Sequence, residues 1–160
     1  TVRPLTNGYR LPAEAEWVWA IRYAGLPTAQ KFEWGTEMPP LDDSGTFADK
    51  AAESLVPSII PRYDDCIAST APVGRFVPHR LGIHDGSGNV AEWVNDYYSV
   101  PTPGITKPVV DPMGPTTGTT RVIRGSSWRH AGEMELRLSF RDYGAEPRSD
   151  VGFRVVRYVE

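Results

Sequence analysis

The chain has 160 residues, a formal net charge of −3 and no basic block, which sizes it as one domain with one good core and argues against nucleic-acid binding. No apolar run reaches membrane-spanning length, and TVRPLTNGYR does not read as a secretory leader. A single cysteine, Cys66, excludes an internal disulfide, and Gly and Pro at 15 each predict a turn-rich chain with little regular structure.

In chain order, the first predicted element is a helix over Pro12–Ala24. Pro12 suits the first turn, Glu14 and Glu16 suit the positive end of the dipole, and Gly25 closes it. Trp17, Ala20, Ile21 and Ala24 fall on one stripe at i, i+3, i+4 and i+7, with Trp17 and Trp19 as core and rim aromatics. Ala13 provides no side-chain cap.

From Leu26 to Pro61 the chain is aperiodic around an aromatic corner, FEWG (Phe32–Gly35). So long an irregular stretch inside a compact domain needs pinning, and a bound cation is one physical option, with Asp49 and Asp65 as the acidic positions. The plainer alternative makes Asp64 and Asp65 a solvated turn. PHRLGIH, with His79 and His84, reads as a surface loop. In SGNVAEW, Gly88 lets the backbone turn so that carbonyls point inward, and Glu92 supplies a carboxylate to the same point. The alternative there is that Glu92 accepts backbone amides or pairs with a strand arginine. Trp93 and Tyr97–Tyr98 read as aromatic core, and Ser99–Thr120 as a Pro-, Gly- and Thr-rich loop.

The C-terminal run Arg121–Arg157 reads as three short strands. Leu136, Leu138 and Phe140 alternate with Arg137, Ser139 and Arg141, and Val151, Phe153 and Val155 repeat the pattern. The arginines of the opposite face, Arg124, Arg137, Arg141 and Arg154, form a buried ion-pair lattice or an anion-facing wall, the lattice being the preferred reading. Glu133 and Glu135 could form an acid/base pair only if buried; the preferred reading is that they answer Arg137 and Arg141 across the sheet. Ser126 and Ser127 lack a nucleophile-elbow context, and no phosphate loop, zinc spacing or coenzyme motif is present.

RVIRGSSW followed by DVGFRVVR, preceded in order by GYRLPAEAEWVWAIRYAG, FEWG and TAPVGRFVPHRLGIHDGSGNVAEWVNDYY, resembles the formylglycine-generating-enzyme (sulfatase-modifying factor) family over nearly the whole chain. The resemblance implies an irregular α+β, C-type-lectin-like fold with few short strands, one clear helix and long loops. It also implies that residues 1–160 are the C-terminal portion of one such domain, the N-terminal part lying upstream or supplied by another protein. Two calcium sites follow by resemblance. One uses the side chains of Asp49 and Asp65 with the carbonyls of Lys50 and Ile67. The other uses the carbonyls of Gly88 and Val90, the Glu92 carboxylate and Asn89. Bound calcium favours a periplasmic or extracellular compartment.

Family enzymes bind copper(I) through two cysteines after RGGSW, soft thiolates suiting that ion. Their positions fall here on His130 and Glu135, so the copper-thiolate mechanism is not expected to run. Three readings follow. The first is a calcium-stabilised binding or scaffold domain with Trp128, Arg129, His130 and Glu135 as a rebuilt pocket, flanked by Arg137 and Arg141. The second is a non-heme-iron oxidoreductase using His79, His84 and His130. The third is a variable binding face, disfavoured because no Asn lies between Trp128 and Phe153. Iron and copper are not the expected metals, and the ligand is open.

Overall fold

The computed structural model describes residues 8–100, 104 and 109–158. The fold is α+β, and the described residues form a four-stranded sheet with helical segments at residues 14–23 and at Glu133–Leu136. The elements are helix α1 (Glu14–Trp17), a π-helix (Val18–Tyr23), β1 (Ala91–Tyr97), β2 (Arg121–Arg124), helix α2 (Glu133–Leu136), β3 (Arg141–Gly144) and β4 (Val151–Phe153). Residues 101–103 and 105–108 of the predicted Ser99–Thr120 loop lie outside the described residues, as do residues 1–7 of the N-terminal stretch.

The predicted helix is present, but it is α-helical for one turn only and then widens into the π form. Its end is set by Ala24, which turns left-handed (φ 50°) and donates its N–H to the Trp19 carbonyl at 2.8 Å. Gly25 follows with φ +75°. Trp17, Ile21 and Ala24 are buried as the stripe requires, while Ala20 is half-buried and Trp19 is exposed. The cap that the Ala13 side chain does not supply comes from Asp96 and from Glu16 within the first turn. Asp96 on β1 accepts the Glu14 N–H at 2.7 Å, and Glu16 turns back to accept the Ala13 N–H at 2.8 Å. Arg10 holds Glu16 through two 2.7 Å contacts.

The sheet order is β3-β2-β1-β4. β1 and β2 are antiparallel, with Glu92 opposite Arg124 and Trp93 opposite Ile123, and the register slips before Tyr97 pairs with Arg121. β2 and β3 are antiparallel, whereas β4 runs parallel to β1 with Glu92 opposite Gly152. Trp17, Ile21, Val94, Val122 and Leu138 make one apolar cluster between helix and sheet. Phe32, Phe47, Ile60, Tyr63 and Leu136 make a second beneath the loops, where Phe32 stacks on Trp34 at 4.8 Å. Side chains of this size each contribute roughly 1.5–3 kcal/mol on burial, enough to hold long loops that have no ladder of their own.

Three sequence expectations are corrected here. Leu136–Phe140 is not a strand: Gly132–Leu136 closes a helical turn, Leu138 is bound through its N–H to the Lys31 carbonyl, and the strand starts at Arg141. Phe153 and Val155 do not face the core but are exposed, because Arg154, between them, turns inward to Glu92. Glu135 does not answer an arginine across the sheet; it caps its own helix at Gly132, and Arg141 pairs with Glu14 instead.

The arginines of the C-terminal run do form an ion-pair lattice. Arg124, 2 % exposed, donates to the carbonyls of Leu138, Ser139 and Phe140 and lies 3.7 Å from Glu14. Burial lowers its pKa to about 10 despite Glu14. Arg137 pairs with Glu133 at 2.9 Å, Arg141 takes both oxygens of Glu14, and Arg154 takes both oxygens of Glu92.

Candidate functional site

After β2 the chain turns at Gly125 (φ +77°), where any side chain would press on Trp17 and the Gly86 carbonyl. The turn directs Ser126 and Ser127 inward. Ser126 Oγ meets Ser87 Oγ at 2.8 Å and accepts the Gly88 N–H. Ser127, fully buried, donates its hydroxyl to Asp150 Oδ2 at 3.2 Å and its N–H to His130 Nδ1 at 3.0 Å. Arg148 binds both oxygens of Asp150 and reaches Asp142 at 2.7 Å. The result is a connected polar unit, His130–Ser127–Asp150–Arg148–Asp142, at the end of the sheet.

His130 sits against Phe140, edge to face at 5.8 Å. Because Nδ1 accepts a backbone N–H, the neutral ring carries its proton on Nε2. Burial lowers its pKa, against the pull of Glu135, Asp150 and Asp142 and in the same direction as Arg148. Trp128 is buried under the guanidinium of Arg129 at 5.3 Å and gives its N–H to the Asn89 carbonyl. Glu135 spends Oε2 on the Gly132 N–H at 3.1 Å.

Trp128, Arg129, His130 and Glu135 therefore fall on one short stretch, while Arg137 is held by Glu133 and Arg141 by Glu14 on the helix side of the sheet. Sequence reasoning missed Ser127, Asp142, Arg148 and Asp150. A signal existed in the acid directly ahead of VGF, since an aspartate buried at the entrance of an apolar strand is expected to be paired.

The two calcium ligand sets fare differently. Asp49 is fully buried and accepts the N–H groups of Ala51, Ala52 and Asp65, the last at 2.5 Å. Asp65 accepts from Ile67 and Phe47. Burial, with Asp49 as the next contribution, raises the Asp65 carboxyl to about 6. Two carboxylates held together at that cost are hard oxygen donors of the kind a divalent cation takes, although each already accepts backbone N–H groups and the Lys50 carbonyl accepts the Glu53 N–H at 3.4 Å. The second set does not fit one. Both Glu92 oxygens belong to Arg154, Trp17 Nε1 donates to Oε2 at 2.7 Å, and the Asn89 side chain is spent on the backbone of Ala71. The Asn89 carbonyl is likewise taken, by the Trp128 N–H.

The histidines are spent locally: within the 76–84 turn His84 Nδ1 contacts the Phe76 carbonyl and His79 Nδ1 accepts the Leu81 N–H, while His130 accepts the Ser127 N–H. Among the described residues no three His, Cys, Asp or Glu side chains converge as metal ligands. Cys66 is exposed, and Asp64 raises its thiol pKa, the opposite of what a reactive thiolate needs.

Comparison with known proteins agrees with this architecture. Residues 3–159 match the sulfatase-modifying factor enzyme 1-like domain. The chain is 40 % identical over 121 residues to the formylglycine-generating enzyme of Streptomyces coelicolor, covering 76 % of this chain and 36 % of that protein. It is 31 % identical over 163 residues to the chaperone protein LppX of Paenibacillus barcinonensis, covering 98 % of this chain and 52 % of that one. The solved structure of Treponema denticola variable protein 1 superposes with a TM-score of 0.73 at 28 % identity, over 93 % of this chain and 47 % of that chain. The chain thus spans about a third to a half of these relatives' lengths. With the helix, the mixed sheet and the ordered motifs in place, the chain belongs to the sulfatase-modifying factor enzyme 1-like family.

Proposed function

We propose that the chain is a binding or scaffold domain of this family, stabilised by calcium at Asp49 and Asp65, and that it does not carry out copper-thiolate oxidation. One observation carries the reading. The two positions that the resemblance assigns to thiolates hold His130 and Glu135, and both are already spent on closing their own loop, against Ser127 and Gly132. Neither offers the soft sulfur that copper(I) selects. The chain's one cysteine is exposed on the Asp64 loop and is not part of the His130 unit. Two of the relatives are named for something other than oxidation, a chaperone protein and a variable protein, which supports a fold put to use for binding.

Calcium, when bound at Asp49 and Asp65, would relieve the repulsion between the two carboxylates and tie the loop of the second apolar cluster to the Ile67 turn. Metal analysis tests both halves of the reading. The untagged chain, offered copper(I) without oxygen and then dialysed, is expected to retain none; stoichiometric retention overturns the non-catalytic assignment. Calcium is expected to raise the melting temperature of the wild type but not of Asp65→Asn, and an equal rise in both removes the calcium site.

A further inference from the structure

We propose that the cavity between the FEWG corner and the Val77–His79 turn binds an alkylammonium group, the chemistry of a lysine side chain. The cavity is about 260 Å³ and is lined by Glu33, Trp34, Leu41–Ser44 and Val77–His79. None of His130, Ser127, Asp49 or Asp65 lines it, so its test stands or falls independently of the function proposed above.

Its chemistry is one-sided. Glu33, Asp42 and Asp43 contribute three carboxyl groups, and among the described residues no Lys or Arg lines it. The walls are apolar: Trp34, locked by its stack on Phe32 and its N–H to the Glu37 carbonyl, with Leu41, Val77 and Pro78. Leu41 and Val77 are 64 % and 75 % exposed, so these two large apolar side chains form a rim with little to cover them. An aliphatic stem between such walls with a cation at the end matches both features.

The floor supplies the second observation. Glu33 Oε2 is buried and has no hydrogen-bond partner. Its other oxygen lies where a side chain on Gly86 would collide with it, at 2.9 Å. Beside it, His79 is 9 % exposed, and its Nε2, toward the Ile21 backbone, makes no hydrogen bond of normal geometry. Buried carboxylate oxygens are nearly always paired, so an orphan under a cavity asks for a donor from outside. Burial raises the Glu33 carboxyl to about 7, against the Ser87 amide and Arg154, with Asp85 and Glu92 adding to the rise. Arg154 cannot satisfy it, being committed to Glu92. An ammonium group donates three N–H bonds and keeps Glu33 ionised.

The test is a chemical-shift titration of the full chain, followed at the Trp34 indole and the His79 ring. Nα-acetyl-lysine methylamide is compared with its norleucine counterpart and with n-butylamine. The lysine probe is expected to bind, and the norleucine probe to bind at least about tenfold more weakly, the scale of one charge-assisted hydrogen bond. Binding of n-butylamine as well assigns the site to the ammonium and stem alone; binding of the lysine probe only assigns it to a polypeptide. Glu33→Gln is expected to weaken binding about tenfold with the near-ultraviolet circular dichroism unchanged. The double variant Asp42→Asn/Asp43→Asn, confined to the rim, is expected to weaken it less. Equal binding of lysine and norleucine probes, no shift at Trp34 with any amine, unchanged affinity in both variants, or occupation by calcium in place of the amine overturns the proposal.

Discussion

Arg154 lies across the carboxylate of Glu92 and contacts both of its oxygens, while the Trp17 indole donates to Oε2 at 2.7 Å. One acid thus joins the helix, the central strand β1 and the edge strand β4. Its side chain is 7 % exposed and that of Arg154 is 24 % exposed. At that depth the pair matters through the cost of breaking it rather than through any net gain on forming it.

Glu92→Gln is therefore expected to lose about 3–5 kcal/mol of stability in urea denaturation, because Arg154 is left buried without its counter-charge. Glu92→Leu combined with Arg154→Met is expected to recover most of that loss. A double variant as unstable as the single one would show that packing, not charge, is what the site supplies.

The helix cap gives a smaller and cleaner number. Asp96→Ala removes the acceptor for the Glu14 N–H and is expected to cost about 1 kcal/mol. Asp96→Asn keeps an acceptor in place and should cost less. If the two substitutions are equally damaging, the interaction is not a cap.

His130 should make stability depend on pH. Its pKa in the folded chain lies below the ordinary histidine range because burial disfavours the charged ring, so the unfolded chain binds the proton more readily. The contribution is complete above the ordinary histidine pKa and is lost as the pH falls through that value toward the lowered one. Protonation at Nδ1 also removes the acceptor for the Ser127 N–H. His130→Asn keeps an acceptor and cannot titrate. The wild type should therefore lose stability relative to this variant between about pH 7 and 5, the interval around the ordinary histidine value. Parallel pH profiles for the two proteins would rule the mechanism out.

The sequence showed some of this directly. The Trp17–Ile21–Ala24 stripe and the strands at Arg121 and Val151 could be read because apolar residues recur at the spacing of the element that buries them. The central strand could not. The inward positions of β1 are Glu92, Val94 and Asp96, two acids and one valine, so its period of two is invisible to any reading based on apolarity. Those acids are tolerable inside only because Arg154, Trp17 and the Glu14 N–H meet them there, and these partners are 62, 75 and 82 residues away. The same long-range pairing misled the reading of β4. With Arg154 drawn inward, the alternation that looked like a core face in Val151, Phe153 and Val155 becomes its opposite. At the candidate site, Ser127 and Asp150 are joined across 23 residues by a hydrogen bond that no local pattern announces.

The bridge between Arg10 and Val156 sets how the fold bears mechanical load. Arg10 N–H reaches the Val156 carbonyl at 3.0 Å and Val156 N–H reaches the Arg10 carbonyl at 2.8 Å. Tension applied between these two points falls first on that bridge and on the Arg10 guanidinium over the Tyr158 ring, which together act as a clasp. Behind it, β4 lies parallel to β1, so a continued pull on the C-terminal side strains the Arg154–Glu92 contact along with the β1–β4 pairing. On the C-terminal side, then, the buried pair is a latch placed behind that clasp.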